Sequence, residues 1–179
     1  MQDGVDPQAN ETVLRAGIAQ LLPELRAAAR MLTASRAEAD DLVQDAVLRM
    51  LRGASSFMPP EDHEGDIITA LRPWGLTILR NAFREDWRKR RRERAHLEAQ
   101  PPQEKGYAGG QETAGRMRDL ARALTDLPPA LREALVLVGG QGLSHEQAAS
   151  ICGVPVGTMK ARVSRARSQL AQTLGPVNV

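Results

Sequence analysis

The sequence predicts an all-α protein built from two small helical domains joined by a flexible linker. Aromatic residues are scarce: the 179 residues include only Phe57, Trp74, Phe83, Trp87 and Tyr107. β-Branched residues rarely cluster in alternating runs, and strands need residues of these two kinds. Alanine, leucine, arginine and glutamate dominate instead. These residues are good helix formers, so the composition favours helices throughout.

Two helices are predicted before residue 53. Apolar residues recur at helical spacing over about 13–32, and Pro23 predicts a bend or a split within that stretch. Ser35 and Glu38 have the spacing of a capping box. The capping box predicts the start of a second helix, which runs to about Arg52.

A loop and a third helix are expected next. Residues 57–70 contain Pro59-Pro60 and an acidic run from Glu61 to Asp66, which is typical of an exposed loop. Pro73 suits the first turn of a helix that continues to about Arg94, because proline is tolerated where no backbone donor is needed.

A linker separates the two predicted domains. Residues 95–115 are rich in proline and glycine and poor in apolar groups, as flexible linkers are. The first domain is therefore assigned to residues 12–94 and the second to residues 116–175. The second domain is expected to contain helices over about 116–124, 129–138, 144–151 and 155–174.

Charge is unevenly distributed, although the net charge of the chain is only +2. Residues 36–71 carry eight acidic and three basic groups, whereas residues 72–94 carry three acidic and nine basic groups. Residues 116–179 are basic again, with eight basic and four acidic groups. An acidic segment beside two basic segments predicts at least two kinds of charged partner surface.

Cysteine content and hydropathy exclude several classes of protein. Cys152 is the single cysteine, so no internal disulfide can form and a reducing compartment is expected. The acidic start of the chain has no apolar stretch after it, so we expect no signal peptide. No apolar run reaches the roughly 18 residues of a membrane span. We therefore expect a soluble cytoplasmic protein.

No set of catalytic or metal-binding residues is recognisable. His63, His96 and His145 are far apart in the sequence, and no Cys or His pair has metal-ligand spacing. Cys152 is interpreted as a small buried group in a turn. No glycine loop has the pattern that cradles phosphates. We expect no enzymatic activity, no cofactor and no metal.

Residues 142–155 have the pattern of a helix-turn-helix. Ser144 and Gln147 form another capping box. Gly153 stands where the turn needs a positive φ angle, and Pro155 suits the start of the following helix.

The helix after this turn has an apolar face and a basic face. At about 100° per residue, one arc is apolar and faces the core. The opposite side is small, polar and basic, which suits entry into a major groove. Lys160 or Arg165 suits guanine, whereas Thr158, Arg162 and Arg167 suit phosphates. A solvated basic face on a structural helix is the alternative. The candidate DNA-binding residues are Thr158, Lys160, Ala161, Arg162, Ser164, Arg165 and Arg167.

Two charged faces in the first domain admit a functional and a purely structural interpretation. Residues 84–94 hold seven basic groups, which suits phosphate binding but also a solvated helix end. Asp41 and Asp45 are four residues apart and share a helix face with Gln44 beside them. That acidic face suits a protein partner, but taken alone it is more simply explained as a solvated face with acids near a helix N-terminus.

The order of the motifs resembles the extracytoplasmic-function sigma factors of bacterial RNA polymerase. The resemblance covers roughly residues 12–94 and 116–174, and both domains look most similar to the general-stress-response branch of α-proteobacteria. The segments that carry it are Leu21–Leu25, Ala39–Asp45, Arg72–Asn81 with the run to Arg92, Leu127–Leu135 and Pro155–Arg167.

In the first domain the resemblance implies two binding surfaces. Asp41, Gln44 and Asp45 match positions that dock on the clamp helices of the polymerase β′ subunit. Asn81, Arg84 and Arg88 match the helix that engages the minus-ten promoter element, where the duplex melts and an adjacent loop captures an extruded base. This sequence departs from the family there, because Glu61–Asp66 resembles an acidic insertion in that loop.

In the second domain the resemblance implies that the helix-turn-helix reads the minus-thirty-five element. Lys160, Ala161, Ser164 and Arg165 would face the bases, and residues 95–115 would thread the polymerase channel. Family members are usually held inactive by an anti-sigma protein. The implied function is therefore that of a sigma factor, which binds core RNA polymerase and directs promoter recognition and transcription initiation.

Two other functions remain open from the residues alone. The first is a two-domain helix-turn-helix regulator that binds duplex DNA without polymerase; such a protein needs neither the acidic face nor the linker. The second is a purely protein-binding regulator, such as an anti-sigma module, against which the basic outer face of residues 157–165 argues.

Overall fold

The computed structural model describes residues 7–58, 66–97 and 112–174, and within these ranges every regular element is helical. The all-α prediction is therefore confirmed. Residues 61–65 of the acidic run and residues 98–111 of the predicted linker lie outside the described residues. The helices are α1 (Pro7–Leu32), α2 (Arg36–Arg52), α3 (Ile67–Leu97), α4 (Glu112–Asp126), α5 (Pro129–Leu135), α6 (His145–Cys152) and α7 (Val156–Leu174).

Helices α1, α2 and α3 pack against one another in the first domain. Gly75 lies on α3 where the three helices meet. A Cβ atom built at Gly75 would lie 2.7 Å from Leu21 Cδ2 of α1 and 3.1 Å from Met50 Cε of α2. The missing side chain therefore allows this close approach. The buried face of α1 consists of Leu14, Ile18, Leu21, Leu25, Ala28, Ala29 and Leu32.

Two prolines lie inside helices, contrary to part of the sequence prediction. Helix α1 continues through Pro23, so the predicted stretch is not split. Helix α3 begins at Ile67, with Pro73 in its interior and not in its first turn. Both prolines are exposed, so water can bind the carbonyl groups that lose a backbone donor, and the buried opposite faces hold the helices together.

Both predicted capping residues are observed, with one difference in detail. Ser144 and Gln147 form a complete capping box at the start of α6. Ser35 Oγ accepts a hydrogen bond from Glu38 N, 3.2 Å away, at the start of α2. The Glu38 carboxylate, however, accepts from Ala34 N at 3.0 Å, one residue earlier than in a standard box.

The segment after α5 differs from the predicted α-helix to Val138. Helix α5 ends at Leu135, and Val136–Gly140 form a single turn of π-helix. Gln141 N donates to Val136 O at 2.8 Å, which is the wider i→i−5 bond. Gly142 then has a φ angle of +66°. The glycines here favour an early end to the α-helix.

The main apolar core extends across both predicted domains. Side chains of α1, α2 and α3 share one buried cluster with residues of α5, of the π turn and of the helix-turn-helix. A second, smaller cluster lies within the second domain and consists of Leu124, Leu127, Leu131, Leu135 and Ala166. The two domains are therefore packed together as one body in this structure.

Candidate nucleic-acid and protein-binding surfaces

The predicted helix-turn-helix has the expected geometry. Gly153 adopts a φ angle of +62° and ψ of +42°, the left-handed conformation that the sequence predicted for the turn. The capped start of α6 and this glycine bring α7 into contact with α6. The apolar arc of α7 faces inward, since Met159, Val163 and Ala166 are buried.

The outer face of α7 presents most of the predicted DNA-binding side chains to solvent. Thr158, Lys160, Ser164, Arg165 and Arg167 are exposed, and Ala161 is half-buried. No acidic residue occurs in α7. The arrangement therefore suits a polyanion that approaches this face.

Arg162 is the exception among these residues. Its side chain is half-buried, and its Nη1 atom is buried without a hydrogen-bond partner among the described residues. The guanidinium therefore points partly inward. Its direction is less suited to a phosphate contact than the sequence predicted.

The acidic face of α2 is only partly free. Asp41 and Gln44 are exposed, whereas the Asp45 carboxylate is 3.0 Å from Arg49 Nη2. Arg49 Nη2 also lies 2.7 Å from Glu85 Oε2 of α3, and this hydrogen bond lowers the pKa of Glu85. Asp45 thus takes part in a chain of ion pairs that joins α2 to α3, while Asp41 and Gln44 remain available to a partner.

On α3 the three predicted minus-ten residues have different surroundings. Asn81 and Arg88 are exposed. Arg84 is half-buried, and its guanidinium binds both carboxylate oxygens of Glu133, with Nε 2.5 Å from Oε1 and Nη2 3.0 Å from Oε2. The hydrogen bond to Glu133 raises the pKa of Arg84, so the group is always charged.

A cavity of about 300 Å³ opens beside Asn81. Trp74 in its wall contacts Phe57 in a tilted arrangement, with ring centroids 4.7 Å apart and an angle of 42° between the planes. Aromatic and polar groups together suit a planar base. The residues that line the cavity are Arg49, Gly53, Ser56, Trp74, Ile78, Asn81 and Glu85.

At the end of α3, some cations of the basic run form ion pairs within the protein, whereas others are exposed to solvent. Arg90 bonds to Glu38 of α2 and lies 2.8 Å from Asp86 on its own helix. Lys89, Arg91 and Arg92 are exposed, and Arg91 lies over the Trp87 ring, 5.4 Å from its centroid. Together with Arg88, these exposed cations remain available to a phosphate backbone.

The residues that join the two domains were not anticipated from the sequence. Glu133, on α5, is 1% exposed, and besides Arg84 it contacts Arg80 Nε at 3.2 Å. Arg132, beside it, donates from Nη1 to Leu32 O of α1 at 2.7 Å. The sequence did contain an indication of these contacts. Arg132 and Glu133 are charged residues in a short helix whose other positions are largely apolar. Charged side chains in such a helix are buried with it, and buried charges need partners.

The described residues contain neither a membrane-spanning helix nor a metal-binding cluster. No helix among them is long and apolar enough to cross a membrane. No group of histidine, cysteine and acidic side chains within residues 7–58, 66–97 and 112–174 is arranged to hold a metal ion.

Comparison with known proteins gives consistent family matches. Residues 18–93 match the family described as Sigma-70 region 2, and residues 117–170 match Sigma-70, region 4. The ECF RNA polymerase sigma factor EcfG of Rhodopseudomonas palustris is 44% identical over 161 residues, or 90% of this chain and 84% of that protein. SigM of Mycobacterium tuberculosis, also an ECF sigma factor, is 37% identical over 87% of this chain and 74% of that protein.

A solved structure has a similar fold over most of the chain. The sigma factor RpoE of Bartonella quintana, crystallised in complex with the anti-sigma factor NepR, superposes with a TM-score of 0.71. The match covers 89% of this chain and 95% of that one at 35% sequence identity. The chain therefore belongs to the ECF sigma factors, and it binds core RNA polymerase and directs promoter recognition and transcription initiation.

Proposed function

We propose that the charged surfaces divide the work of this sigma factor. Asp41, Gln44 and Asp45 dock on the clamp helices of the polymerase β′ subunit. Helix α3 engages the minus-ten element, and α7 reads the minus-thirty-five element. The observation that carries this assignment is the outer face of α7, which is basic, free of acidic residues and held by a correctly formed helix-turn-helix.

On α3 the proposal assigns a separate role to each group. Asn81 stands at the mouth of the cavity that accepts an extruded promoter base, and Trp74 provides an aromatic wall for it. Arg88 and the exposed cations after it hold the phosphate backbone. Arg84 joins them only when it is released from Glu133.

On α7 the role proposed for each residue follows from the direction in which its side chain leaves the helix. Lys160, Ser164 and Arg165 face the base edges, with Ala161 providing room for close approach. Thr158 and Arg167 contact phosphates, and Arg162 reaches a phosphate only if its half-buried guanidinium turns outward. The predicted linker passes through the polymerase between the two promoter contacts.

The partners and setting are part of the same proposal. An anti-sigma protein holds the factor inactive, as the relative from Bartonella quintana, solved with NepR, suggests. We assign the factor to the general-stress-response branch that both of its domains resemble in sequence, and EcfG, at 44% identity, is an ECF sigma factor. The protein acts in the cytoplasm, as a binding subunit without enzymatic activity of its own.

The core-binding surface is tested by D41K with D119K as its charge-matched control. Both residues are exposed, but Asp119 lies on α4, away from the acidic face. We expect D41K to weaken binding to purified core polymerase by at least about tenfold, because a lysine faces the site that a carboxylate occupied. D119K should bind as the wild type does.

The measurement is a titration of fluorescent sigma factor with core enzyme. Binding of free duplex DNA is measured in parallel. A variant that loses affinity for polymerase but still binds DNA is folded, so its defect lies in docking. Equal affinity of D41K and D119K for the core enzyme would exclude Asp41 from the interface.

A further inference from the structure

The side-chain amide of Asn81 has a defined orientation in this structure. Its Oδ1 atom lies 3.1 Å from Nη1 of Arg80, the preceding residue on α3. A guanidinium group carries five hydrogen-bond donors and no acceptor. The amide atom that faces Arg80 is therefore the oxygen, and the Nδ2 group, with its two donors, forms the other arm of the amide.

The two arms of this amide are directed to different sides of α3. Helix α3 contributes to the wall of the cavity of about 300 Å³ through Trp74, Ile78, Asn81 and Glu85. These residues are three or four positions apart, so they share one face of the helix. Arg80 lies about 100° around the helix from Asn81, and its Nε atom bonds to α5. The Oδ1 arm is therefore turned away from the cavity, and the Nδ2 arm faces it.

Other polar groups in the cavity wall are already bonded within the protein. Two nitrogen atoms of Arg49 are bound to carboxylate groups, one of which belongs to Glu85. Ser56 Oγ donates its hydrogen to the Gly53 carbonyl oxygen, 3.1 Å away. The Nδ2 group of Asn81 is therefore the donor best placed to meet an extruded base.

The orientation of Asn81 determines which bases it can pair with. An asparagine usually reads adenine with both arms, because its oxygen accepts from N6 and its nitrogen donates to N7. With the oxygen turned to Arg80, only the donor arm is left. The ring acceptors N1 and N7 of adenine both stand beside the N6 amino group, which would then face a second donor. Thymine, cytosine and guanine each present a carbonyl oxygen, which accepts from Nδ2 without this conflict.

We propose that Arg80 positions Asn81 so that the cavity selects an extruded base with a carbonyl group and rejects adenine. Asn81 contacts the base, whereas Arg80 is a positioning residue that acts through Asn81. Their hydrogen bond is exposed to water in the free protein, and it strengthens when a base covers it and excludes water. The inference rests on the proposed role of the cavity in capturing a promoter base.

The test measures binding of reconstituted holoenzyme to single-stranded minus-ten oligonucleotides from a promoter that it selects out of a random library. Single abasic sites first locate the captured position, since the abasic site there costs the most affinity. Adenine or hypoxanthine is then placed at that position. Hypoxanthine has the size of adenine but carries a carbonyl oxygen in place of the N6 amino group. We expect the wild type to bind the hypoxanthine oligonucleotide about tenfold more tightly.

N81D tests the donor arm itself. A carboxylate accepts hydrogen bonds but donates none, and its size is that of the amide. The variant should therefore lose the preference for hypoxanthine. Circular dichroism and affinity for core polymerase, which should both match the wild type, show that the change is confined to base recognition.

R80Q and R80K test the positioning role. Glutamine both donates and accepts, so the Asn81 amide can turn over and pair with adenine, and the preference should fall to about twofold. Lysine only donates, so R80K should restore most of the tenfold preference. R30Q makes the same substitution as R80Q at an exposed arginine of α1 and should keep the preference in full.

The possible failures distinguish this inference from the function on which it rests. A preference retained by R80Q but lost by N81D would show that Asn81 reads the base without help from Arg80. Equal binding of the two bases by the wild type, with one abasic site still costly, would refute the selection and leave base capture intact. A preference retained by N81D, or the absence of a costly abasic site, would refute the proposed role of the cavity itself.

Discussion

At the scale of single residues, Arg165 and Arg167 illustrate how direction on a helix separates base contacts from phosphate contacts. They are two positions apart on α7, and both are exposed. Two residues apart on an α-helix means about 200° of rotation, so the two guanidinium groups leave the helix on nearly opposite sides. Only one of them can lie at the bottom of the groove.

We therefore expect R165A and R167A to have different effects on minus-thirty-five duplexes. R165A should cost about 1–3 kcal/mol of binding free energy on the preferred sequence and relax the preference at one base pair. R167A should weaken binding to all duplexes alike and lower the salt dependence by about one counterion. Filter binding at several salt concentrations measures both effects, and identical behaviour of the two variants would contradict the assigned roles.

Single residues also show what sequence reasoning captures. Gly153 and the Ser144–Gln147 capping box were predicted correctly, because their conformations depend on residues within one helical turn. Arg162 shows where sequence reasoning failed. It was assigned to a phosphate, but on the helix it lies at the edge of the apolar arc, about 40° from buried Ala166, and its long side chain turns inward.

At the scale of elements, the prolines show why local propensity is overridden. Pro23 predicted a bend or a split and Pro73 predicted a helix start, yet both lie within helices. The penalty of an internal proline is about 3 kcal/mol. Burial of a helix face as long as that of α1 exceeds this penalty several times. The helix-breaking signal was real, but tertiary packing outweighed it.

Glu38 connects the start of α2 to the far part of α3 and makes stability depend on pH. Partial burial alone would raise its pKa, but hydrogen bonds from Arg90 and from Ala34 N–H lower the pKa below its ordinary value of 4.5. Because the pKa is lower in the folded state, this contribution is fully present above pH 4.5 and is lost as the pH falls through the folded-state pKa.

We expect E38Q to reduce the free energy of unfolding near neutral pH and to matter less in acid. The loss relative to the wild type should shrink as the pH falls below about 4.5. Urea unfolding at a series of pH values measures this difference. E93Q, at an exposed position of α3, is the control and should change little at any pH. A loss in E38Q that stays constant with pH would contradict the role of this ion pair.

At the scale of the whole molecule, the predicted surfaces were found on the expected helices, but their relation was not foreseen. The charge pattern indicated an acidic face and two basic faces, and the all-α fold followed from composition. Docking of the domains depends on pairs such as Arg84–Glu133, which are 49 residues apart. Neither periodicity nor charge blocks contain information on which distant residues meet, so two separate modules were the natural expectation.

In the docked arrangement, part of the positive charge on α3 is neutralised by carboxylate groups of the same chain. The net positive charge of residues 72–94 is not fully available to DNA, because Arg72, Arg80, Arg84 and Arg90 are engaged with carboxylate groups in this structure. Three of these four also stand at the junction of the domains. These ion pairs therefore reduce the number of cations that this segment offers to DNA in the described arrangement.

The division of labour between α3 and α7 is tested most directly by transcription from a randomised promoter library. Holoenzyme is reconstituted from purified core polymerase and wild-type, N81A or R165A sigma factor, and the templates of the transcripts are sequenced. Wild-type holoenzyme should enrich two sequence blocks at a constant spacing. R165A should lose the preference in the upstream block alone, and N81A that in the downstream block alone. Loss of both blocks in either variant, or enrichment of a single block by the wild type, would contradict the account.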